Sequence, residues 1–410
     1  MVVKDLFSRH KLTGGALVAA YLVLLGACSQ DVAPTPKPRP TPAPTSIFTP
    51  VPDRTLTPVI ATPSPTEIPE SFSLASLPRK TTLTIGDVNP STLDPALAID
   101  HVSRNYISQI FGGLVKLDTN LDVAPNLAKS WDILGGGVRY VFHLDPKASF
   151  HSGRAVTSQD VKNSLERATD PKTGSGTART YLGDILGVQR KLNGHAQEIS
   201  GIRVVDEQTL EMLVDAPKPY VLAKLAYPVA SVVDMDNVAG GPEWFRKPNG
   251  TGPFKLKAWE DEEFLVLERN QSHHIEVPNV EFVAFRFLSS EPIQSYKTDK
   301  IDAVTVGISN LKKTLDPQDP IRKDLLSFQN LTTSLIGFNV SKPPFDDQLV
   351  RRAFGLALDR ERLVQVALGD SAGISQGFLP PEMSGYVTAL HGTAYNPEQA
   401  RQLLAKSKYG

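Results

Sequence analysis

The spacing of hydrophobic and polar residues divides this chain of 410 residues into three parts. Residues 12–27 form an almost continuous apolar run behind a basic N-terminus. Residues 31–70 show no apolar period, and from about residue 80 alternating stretches are interleaved with stretches of helical period. The pattern therefore predicts a targeting segment, a linker and a mixed α/β globular part.

In the globular part, alternation of apolar and polar residues predicts strands and hairpins. One hairpin surrounds three consecutive glycines and the other surrounds an acidic turn. Trp131, in the first hairpin, is assigned to the core rather than to a surface for ligand stacking. The expected strands and hairpin arms are 82–85, 131–133, 140–144, 209–214, 254–258 and 264–267.

Apolar residues at helical spacing predict helices, and capping residues indicate where these begin. A four-residue spacing predicts a helix over 100–114, which Gly112 and Gly113 would end. Thr157 and Asp160 resemble a capping box, with Asp in place of the usual Glu. Near the end of the chain, further helices are expected behind the caps Asp346 or Asp347, Asp359 and Asn396.

The N-terminus reads as an export signal. The apolar run is shorter than the roughly 20 residues that span a bilayer, and it follows Lys4, Arg9 and Lys11. It ends in Leu-Gly-Ala-Cys, which matches the bacterial lipobox and implies cleavage before Cys28 and lipidation of that residue. Residues 1–27 are therefore predicted to be a lipoprotein signal peptide.

The segment 28–70 is predicted to be a lipid-anchored linker. Between residues 31 and 70, twelve residues are Pro and eight are Thr. Such a segment cannot bury enough apolar surface to offset its ordering entropy, and proline favours a semi-rigid extended form. The expected location is the extracytoplasmic face of the cell membrane, either in the periplasm or at the cell surface.

Charge and cysteine content exclude several classes of protein. The chain has 43 basic and 44 acidic residues, so no overall field attracts nucleic acid. The single cysteine, Cys28, excludes an internal disulfide and a thiolate metal cluster. No common catalytic motif is present, and neither the pair His143/His151 nor the pair His273/His274 has zinc-site spacing. No enzyme activity, cofactor or metal site is therefore predicted.

Several segments in order resemble family 5 of the extracellular solute-binding proteins, the oligopeptide, dipeptide and nickel class that serves ABC importers. The resemblance runs from about residue 80 to residue 410. The stretches that carry it are 91–96 (Ser-Thr-Leu-Asp-Pro-Ala), 109–115, 124–131, 140–144, 150–157, 160–167, 250–254 (Gly-Thr-Gly-Pro-Phe), 267–270, 337–339 (Gly-Phe-Asn), 344–347, 351–354, 357–360 and 378–381. Residues 271–274 depart from the family pattern.

The resemblance implies a two-lobed periplasmic-binding-protein-like fold of class II type with an extra N-terminal subdomain. Residues 80–330 would form the first lobe with its inserted subdomain, and 331–410 would start a second, incomplete lobe. A C-terminally truncated chain is expected, because family members continue well beyond this point. The implied partners are a peptide or peptide-like solute and an ABC permease with its ATPase.

Two loops resemble segments that face the cleft between lobes. The first candidate ligand-binding loop comprises Val88, Asn89, Pro90 and Ser91, and the second comprises Asn249, Gly250, Thr251 and Gly252. For the second loop, glycines that only permit a turn are the alternative, and Asp94-Pro95 is expected to be a turn rather than a contact. Alternatives for the whole protein are a sensory binding lobe, a nickel or metal-chelate binder and a tethered hydrolase.

Overall fold

The computed structural model describes residues 2–3, 72–288, 292–327, 331–369, 371–381, 383 and 385–410. Cys28 and the linker lie outside the described residues. The strands are β1 (Val2–Val3), β2 (Thr82–Asp87), β3 (Val115–Leu117), β4 (Val123–Pro125), β5 (Ala128–Leu134), β6 (Arg139–Leu144), β7 (Ile202–Asp206), β8 (Thr209–Leu213), β9 (Phe254–Glu260), β10 (Phe264–Arg269), β11 (Phe282–Phe287) and β12 (Ala303–Val304).

Helices are interleaved with these strands, so the mixed α/β class is confirmed. They are α1 (His101–Ile110), α2 (Ser158–Ala168), α3 (Ala178–Leu182), α4 (Val188–Leu192), α5 (Val221–Leu225), α6 (Met235–Val238), α7 (Pro292–Lys297), α8 (Ile308–Thr314), α9 (Gln348–Ala357), α10 (Arg360–Ala367) and α11 (Pro397–Ala405). Short 3₁₀ helices occupy Leu74–Ser76, Pro228–Ala230, Trp244–Arg246 and Pro320–Asp324.

The larger sheet has the strand order β1-β12-β2-β11-β10-β9. β2 is parallel to β11 and β12, whereas β9, β10 and β11 pair antiparallel. One face packs on α1 through a buried cluster that includes Leu83, Tyr106, Ile110 and Phe285. The segment that begins at Phe72 covers the other face, so strands of this sheet are apolar on both sides.

A second, antiparallel sheet with the order β5-β6-β8-β7 is inserted in the chain between β2 and β9. Its apolar face packs on α2, and the shared core contains Phe142, Leu165 and Leu210, all at most 1% exposed. Trp131 is partly buried against this core, as predicted. The sheet and α2 therefore form a unit with its own apolar core.

The predicted caps and hairpins are confirmed. Thr157 and Asp160 form a reciprocal capping box at the start of α2, and each side chain accepts a hydrogen bond from the backbone N–H of the other residue. Asp347, Asp359 and Asn396 cap the last three helices. These caps can be predicted from the sequence because each accepts hydrogen bonds from backbone N–H groups of the first helical turn, which have no partner within the helix.

The helix predicted over 100–114 does not reach Leu114: it ends at Ile110, just before Gly112 and Gly113, where its end was expected. Gly112 leaves the helical path because its N–H donates to Oγ1 of Thr251 at 2.8 Å and its carbonyl accepts from Val232 at 2.8 Å. Leu114 is still buried, but in the core of the smaller sheet. The four-residue spacing continued through Leu114, whereas the contacts that end the helix come from distant residues.

Residues 331–410 contain α9, α10 and α11, and α9 packs against α11. Val350, Ala353 and Ala400 are buried between them, but Phe378 is 81% and Val366 is 77% exposed. Large apolar side chains of this region are therefore not covered by the residues that the structure describes. Its assignment as the start of a second lobe stays a prediction.

Candidate functional site

The first candidate loop, 88–91, follows the carboxyl end of β2. This strand lies between its parallel neighbours β11 and β12. In open α/β sheets, ligands bind outside the carboxyl ends of parallel strands. Val88 is 51% exposed there, whereas Pro90 is buried. The position favours a role in binding, which stays a prediction.

Hydrogen bonds to the protein itself hold the polar groups of this loop. Oδ1 of Asn89 accepts from the indole Nε1 of Trp259 at 2.9 Å. Oγ of Ser91 donates to the carboxylate of Asp100 at 2.7 Å. The carbonyl of Val88 accepts from a tyrosine hydroxyl at 3.1 Å. The loop is therefore a fixed structure, and its most exposed apolar side chain is Val88.

Trp259 is itself held by Arg246, whose guanidinium carbon lies 3.7 Å from the ring centroid. This distance is typical of a cation–π contact. Arg246 also donates two hydrogen bonds to Asp261, at 3.0 and 2.6 Å. These bonds hold the pKa of Asp261 below its usual value. The first loop is thus fastened through Trp259 to the β9–β10 hairpin.

The second candidate loop, 249–252, is an internal joint in which Gly250, Thr251 and Gly252 are buried. A Cβ on Gly250 would lie 2.0 Å from the carbonyl oxygen of Ile110, and one on Gly252 would lie 2.4 Å from that of Gln109. Neither glycine has a positive φ. Their role here is the close approach of two backbones, and a part in lining a cleft stays a prediction.

Asn249, the remaining residue of this loop, connects it to the segment after β6 and to the N-cap of α6. Its Nδ2 donates to Asp234 at 2.5 Å, and its Oδ1 accepts from the backbone N–H of Ser152 at 2.9 Å. Arg154 bridges Asp234 and Asp160 at 2.9 and 3.0 Å. The loop therefore joins α1, the larger sheet and the inserted unit through a polar network.

His151 is part of the same joint. Its backbone N–H donates to the carbonyl of Gly250 at 2.7 Å, and its ring Nε2 lies 3.1 Å from that of Gly252. Nε2 must carry the proton because a carbonyl only accepts, and Nδ1 is buried without a partner among the described residues. Burial, together with the positive charge of Lys255 and the nearby His273, lowers the pKa of His151 to about 4.

This depressed pKa predicts a loss of stability in acid. The folded protein keeps His151 neutral, whereas the unfolded chain takes up a proton below pH about 6.5. Stability is therefore complete above that pH and falls as the pH drops from about 6.5 towards 4. We expect His151 to contribute about 2 kcal/mol to the loss between pH 7.5 and pH 5. Urea unfolding at several pH values, followed by tryptophan fluorescence, measures this change in the free energy of unfolding.

His151→Gln keeps a donor for the carbonyl of Gly252 but does not titrate, so the pH dependence of its unfolding midpoint should be shallower. His195→Gln is the matched control because His195 is exposed. Equal pH dependence in the wild type and His151→Gln would contradict the assignment. His273, whose pKa burial also lowers to about 4, adds to the remaining slope.

One contact, between the segment after β2 and α2, was not predicted from the sequence. Asp94, expected to sit in a turn, is 2% exposed and pairs with Arg167 of α2. Nη1 of Arg167 donates to Oδ1 at 3.0 Å, and the guanidinium lies 5.3 Å from the Trp244 ring. The two charged residues are 73 positions apart, so no local pattern could pair them.

A second group was also missed: Arg104, Tyr181 and Tyr227. The two tyrosine rings are stacked with centroids 3.5 Å apart, and Nη1 of Arg104 donates to the hydroxyl of Tyr227 at 3.0 Å. Arg104 lies one turn into α1, beyond the loop on which the prediction concentrated. A basic residue one turn inside a helix that follows the candidate loop is the signal that could have found it.

Neither a metal site nor a membrane span is found where the structure describes the chain. No group of three or more His, Cys, Asp or Glu side chains is arranged to hold an ion in the described ranges. The helices of these same ranges are too short or too polar to cross a bilayer.

Comparison with known proteins agrees with the mixed α/β fold. The family model "Bacterial extracellular solute-binding proteins, family 5 Middle" matches residues 122–410. The Probable deoxycholate-binding periplasmic protein YgiS of Escherichia coli is 29% identical over 329 residues, which cover 78% of this chain and 60% of that protein. The periplasmic oligopeptide-binding protein OppA of Escherichia coli is 30% identical over 363 residues, which cover 84% and 65%.

Among solved structures, a periplasmic oligopeptide-binding protein from Borrelia burgdorferi has a TM-score of 0.69 and 29% identity, and the match covers 80% of this chain and 67% of that one. The chain thus spans about 60–65% of the length of the two Escherichia coli relatives. The matched family model covers well over half of the chain. The chain therefore belongs to family 5 of the bacterial extracellular solute-binding proteins.

Proposed function

We propose that this protein captures a peptide or peptide-like solute outside the cytoplasm and delivers it to the permease and ATPase of an ABC importer. The observation that carries the proposal is the family match over residues 122–410. A fold alone would not support it, because one fold serves many functions. Similarity to proteins whose names state oligopeptide binding favours peptides over other solutes.

In this proposal, residues 80–330 form a first lobe and 331–410 begin a second, with the solute held between lobes. Closure about a hinge is a known mode of ligand capture. Loop 88–91 supports the proposal by its position at the carboxyl end of β2. Loop 249–252 is buried and would support the site indirectly, because it fixes the end of α1 against the larger sheet.

The solute is tested by thermal unfolding of the full chain with a pool of peptides of two to five residues. A ligand that binds the native state at 100 times its Kd adds about 2.7 kcal/mol of stability, so Tm should rise by several degrees. Free amino acids of the same composition are the control. The same measurement is made with deoxycholate below its micellar concentration, because one relative is named as a deoxycholate-binding protein.

A shift with deoxycholate alone would replace the peptide by a bile-acid-like solute. A cooperative transition that neither ligand moves would contradict the proposal. We also propose that binding occurs without turnover, and mass spectrometry of the pool after incubation checks this. Peptide fragments that accumulate in proportion to the protein would show an enzyme instead.

We propose further that Cys28 carries the lipid that holds the protein at the outer face of the membrane. Several acyl chains on one residue suffice for stable anchoring where a single chain does not. The proline-rich linker then keeps the globular part away from the bilayer. Metabolic labelling with a radioactive fatty acid tests the anchor, and equal labelling of the chain and of Cys28→Ala would refute it.

A further inference from the structure

The cluster formed by Arg104, Tyr181 and Tyr227 adjoins the first candidate loop. The link is Asp100, whose carboxylate accepts from Oγ of Ser91 at 2.7 Å and whose carbonyl accepts from Nε of Arg104 at 3.1 Å. The cluster is therefore one hydrogen-bonded residue away from the surface at the end of β2. A solute that contacts that loop would come close to Arg104.

Arg104 is half-buried and has no carboxylate within 4 Å in the part of the chain that the structure describes. Two other arginines are neutralised by carboxylates: Arg154 pairs with Asp160, and Arg167 pairs with Asp94. A half-buried cation held only by neutral oxygens is poorly compensated. The guanidinium of Arg104 is therefore a fixed positive charge that an anionic ligand would neutralise.

The surroundings of Arg104 are preorganised. Nη1 donates to Tyr227 at 3.0 Å, and the guanidinium carbon lies 5.2 Å from the Tyr227 ring. That ring is stacked on Tyr181 with an interplanar angle of 10°. Nη2 makes no hydrogen bond to the described residues, so one edge of the planar fork is open to a ligand. Fixed donors of this kind bind oxyanions at low entropic cost.

Two further residues lie near this cluster along the chain. Ile99 precedes Asp100 and is 69% exposed, and a Cβ added to Gly176 would lie 3.1 Å from its side chain. Thr177 comes four residues before Tyr181, and its buried Oγ1 has no hydrogen-bond partner among the described residues.

We propose that Arg104 is a specificity-determining residue that binds a carboxylate of the solute, with Tyr227 as its positioning residue. The proposal rests on the proposed function and deepens it: among peptides, those with a free terminal carboxylate are preferred over the same peptides capped as amides.

The experiment compares two peptide pools of identical sequence, one with free carboxyl termini and one with amidated termini, on the full chain by calorimetric titration. The wild type should bind the free pool at least tenfold more tightly than the amidated pool. Arg104→Met should lose this preference and still bind the amidated pool. Tyr227→Phe, which removes only the hydroxyl that holds Arg104, should show an intermediate preference.

Arg179→Met is the matched control, because Arg179 is exposed on α3 beside Tyr181 and bonds only to Gln189 and Asn193 among the described residues. It should keep the full preference. An Arg104→Met protein that is folded by circular dichroism and keeps the preference overturns the proposal. The proposed function would survive that outcome, because both pools would still bind.

If neither pool binds, the proposed function fails, and acetate titrated into ¹⁵N-arginine-labelled protein decides about Arg104 by itself. The Nε–H signal of Arg104, identified by its loss in Arg104→Lys, should move and saturate. The signal of Arg179 should drift linearly. Identical behaviour of the two signals would show that Arg104 is not an anion site.

Discussion

Gly250→Ala is expected to destabilise the protein by about 3 kcal/mol or more, which is a large share of the stability of a typical domain. The new Cβ would lie 2.0 Å from the carbonyl oxygen of Ile110, and the nearest obstacle is backbone rather than a side chain that could rotate. That carbonyl also accepts from the N–H of Gly252 at 2.8 Å. Relief would require α1 to move away from the larger sheet.

The three tryptophans, Trp131, Trp244 and Trp259, all lie within 72–288, so urea unfolding followed by their fluorescence reports on this part of the chain. Gly176→Ala is the control: its Cβ would meet only the exposed side chain of Ile99, at 3.1 Å. We expect the control to stay within about 1 kcal/mol of the wild type. An unfolding midpoint for Gly250→Ala as high as that of Gly176→Ala would refute the close-packing role.

The same loop shows why local sequence predicts elements better than sites. The glycines of loop 249–252 were interpreted, from the family resemblance, as part of a cleft-facing segment, and the alternative was that they only permit a turn. The structure uses them for contact with α1, whose end is about 140 positions away along the chain. A pattern of neighbouring residues cannot show which distant backbone comes close.

Signals that act within one helical turn were predictable. The capping box at Thr157 and the caps at Asp347 and Asn396 are where the sequence places them, because each is settled by three or four residues. The end of α1 just before Gly112 and Gly113 was predictable as well, but the contact of Gly112 with Thr251 was not, because the two residues are 139 positions apart. The two-lobed fold class was predicted from the family resemblance and not from local patterns.

The candidate binding residues also depend on long-range contacts. Arg104 reaches Tyr227, which is 123 positions later. Asn89 is held by Trp259, 170 positions later. Sequence reasoning identified Asn89 through the loop it belongs to, but not the partner that fixes it. It could not identify Arg104 because an arginine on a helix is most often a solvated surface residue.

Asp94→Ala is expected to cost about 3–5 kcal/mol, because it leaves the charge of Arg167 without a partner in a buried setting. The side chain of Arg167 is 15% exposed, and that of Asp94 is 2% exposed. The substitution also removes the acceptor for the N–H of Ala96, at 3.0 Å. The pair ties the segment after β2 to α2, so the loss should appear as a lower urea midpoint in tryptophan fluorescence.

The loss of stability in Asp94→Ala should come from the unpaired charge of Arg167 rather than from the lost attraction between the two side chains. A double variant separates these two contributions. Asp94→Leu combined with Arg167→Met removes both charges and keeps apolar volume, so we expect it to be more stable than Asp94→Ala by about 1–3 kcal/mol. Lys257→Ala is the control. The side chains of Lys257 and its partner Glu268 are 42% and 38% exposed, so this pair should contribute about 1 kcal/mol or less.

A double variant less stable than Asp94→Ala would show that the ion pair itself stabilises the contact between the segment after β2 and α2. In that case Asp94 and Arg167 would hold the inserted unit to the larger sheet by attraction, and the family stretch 91–96 would be maintained for that contact.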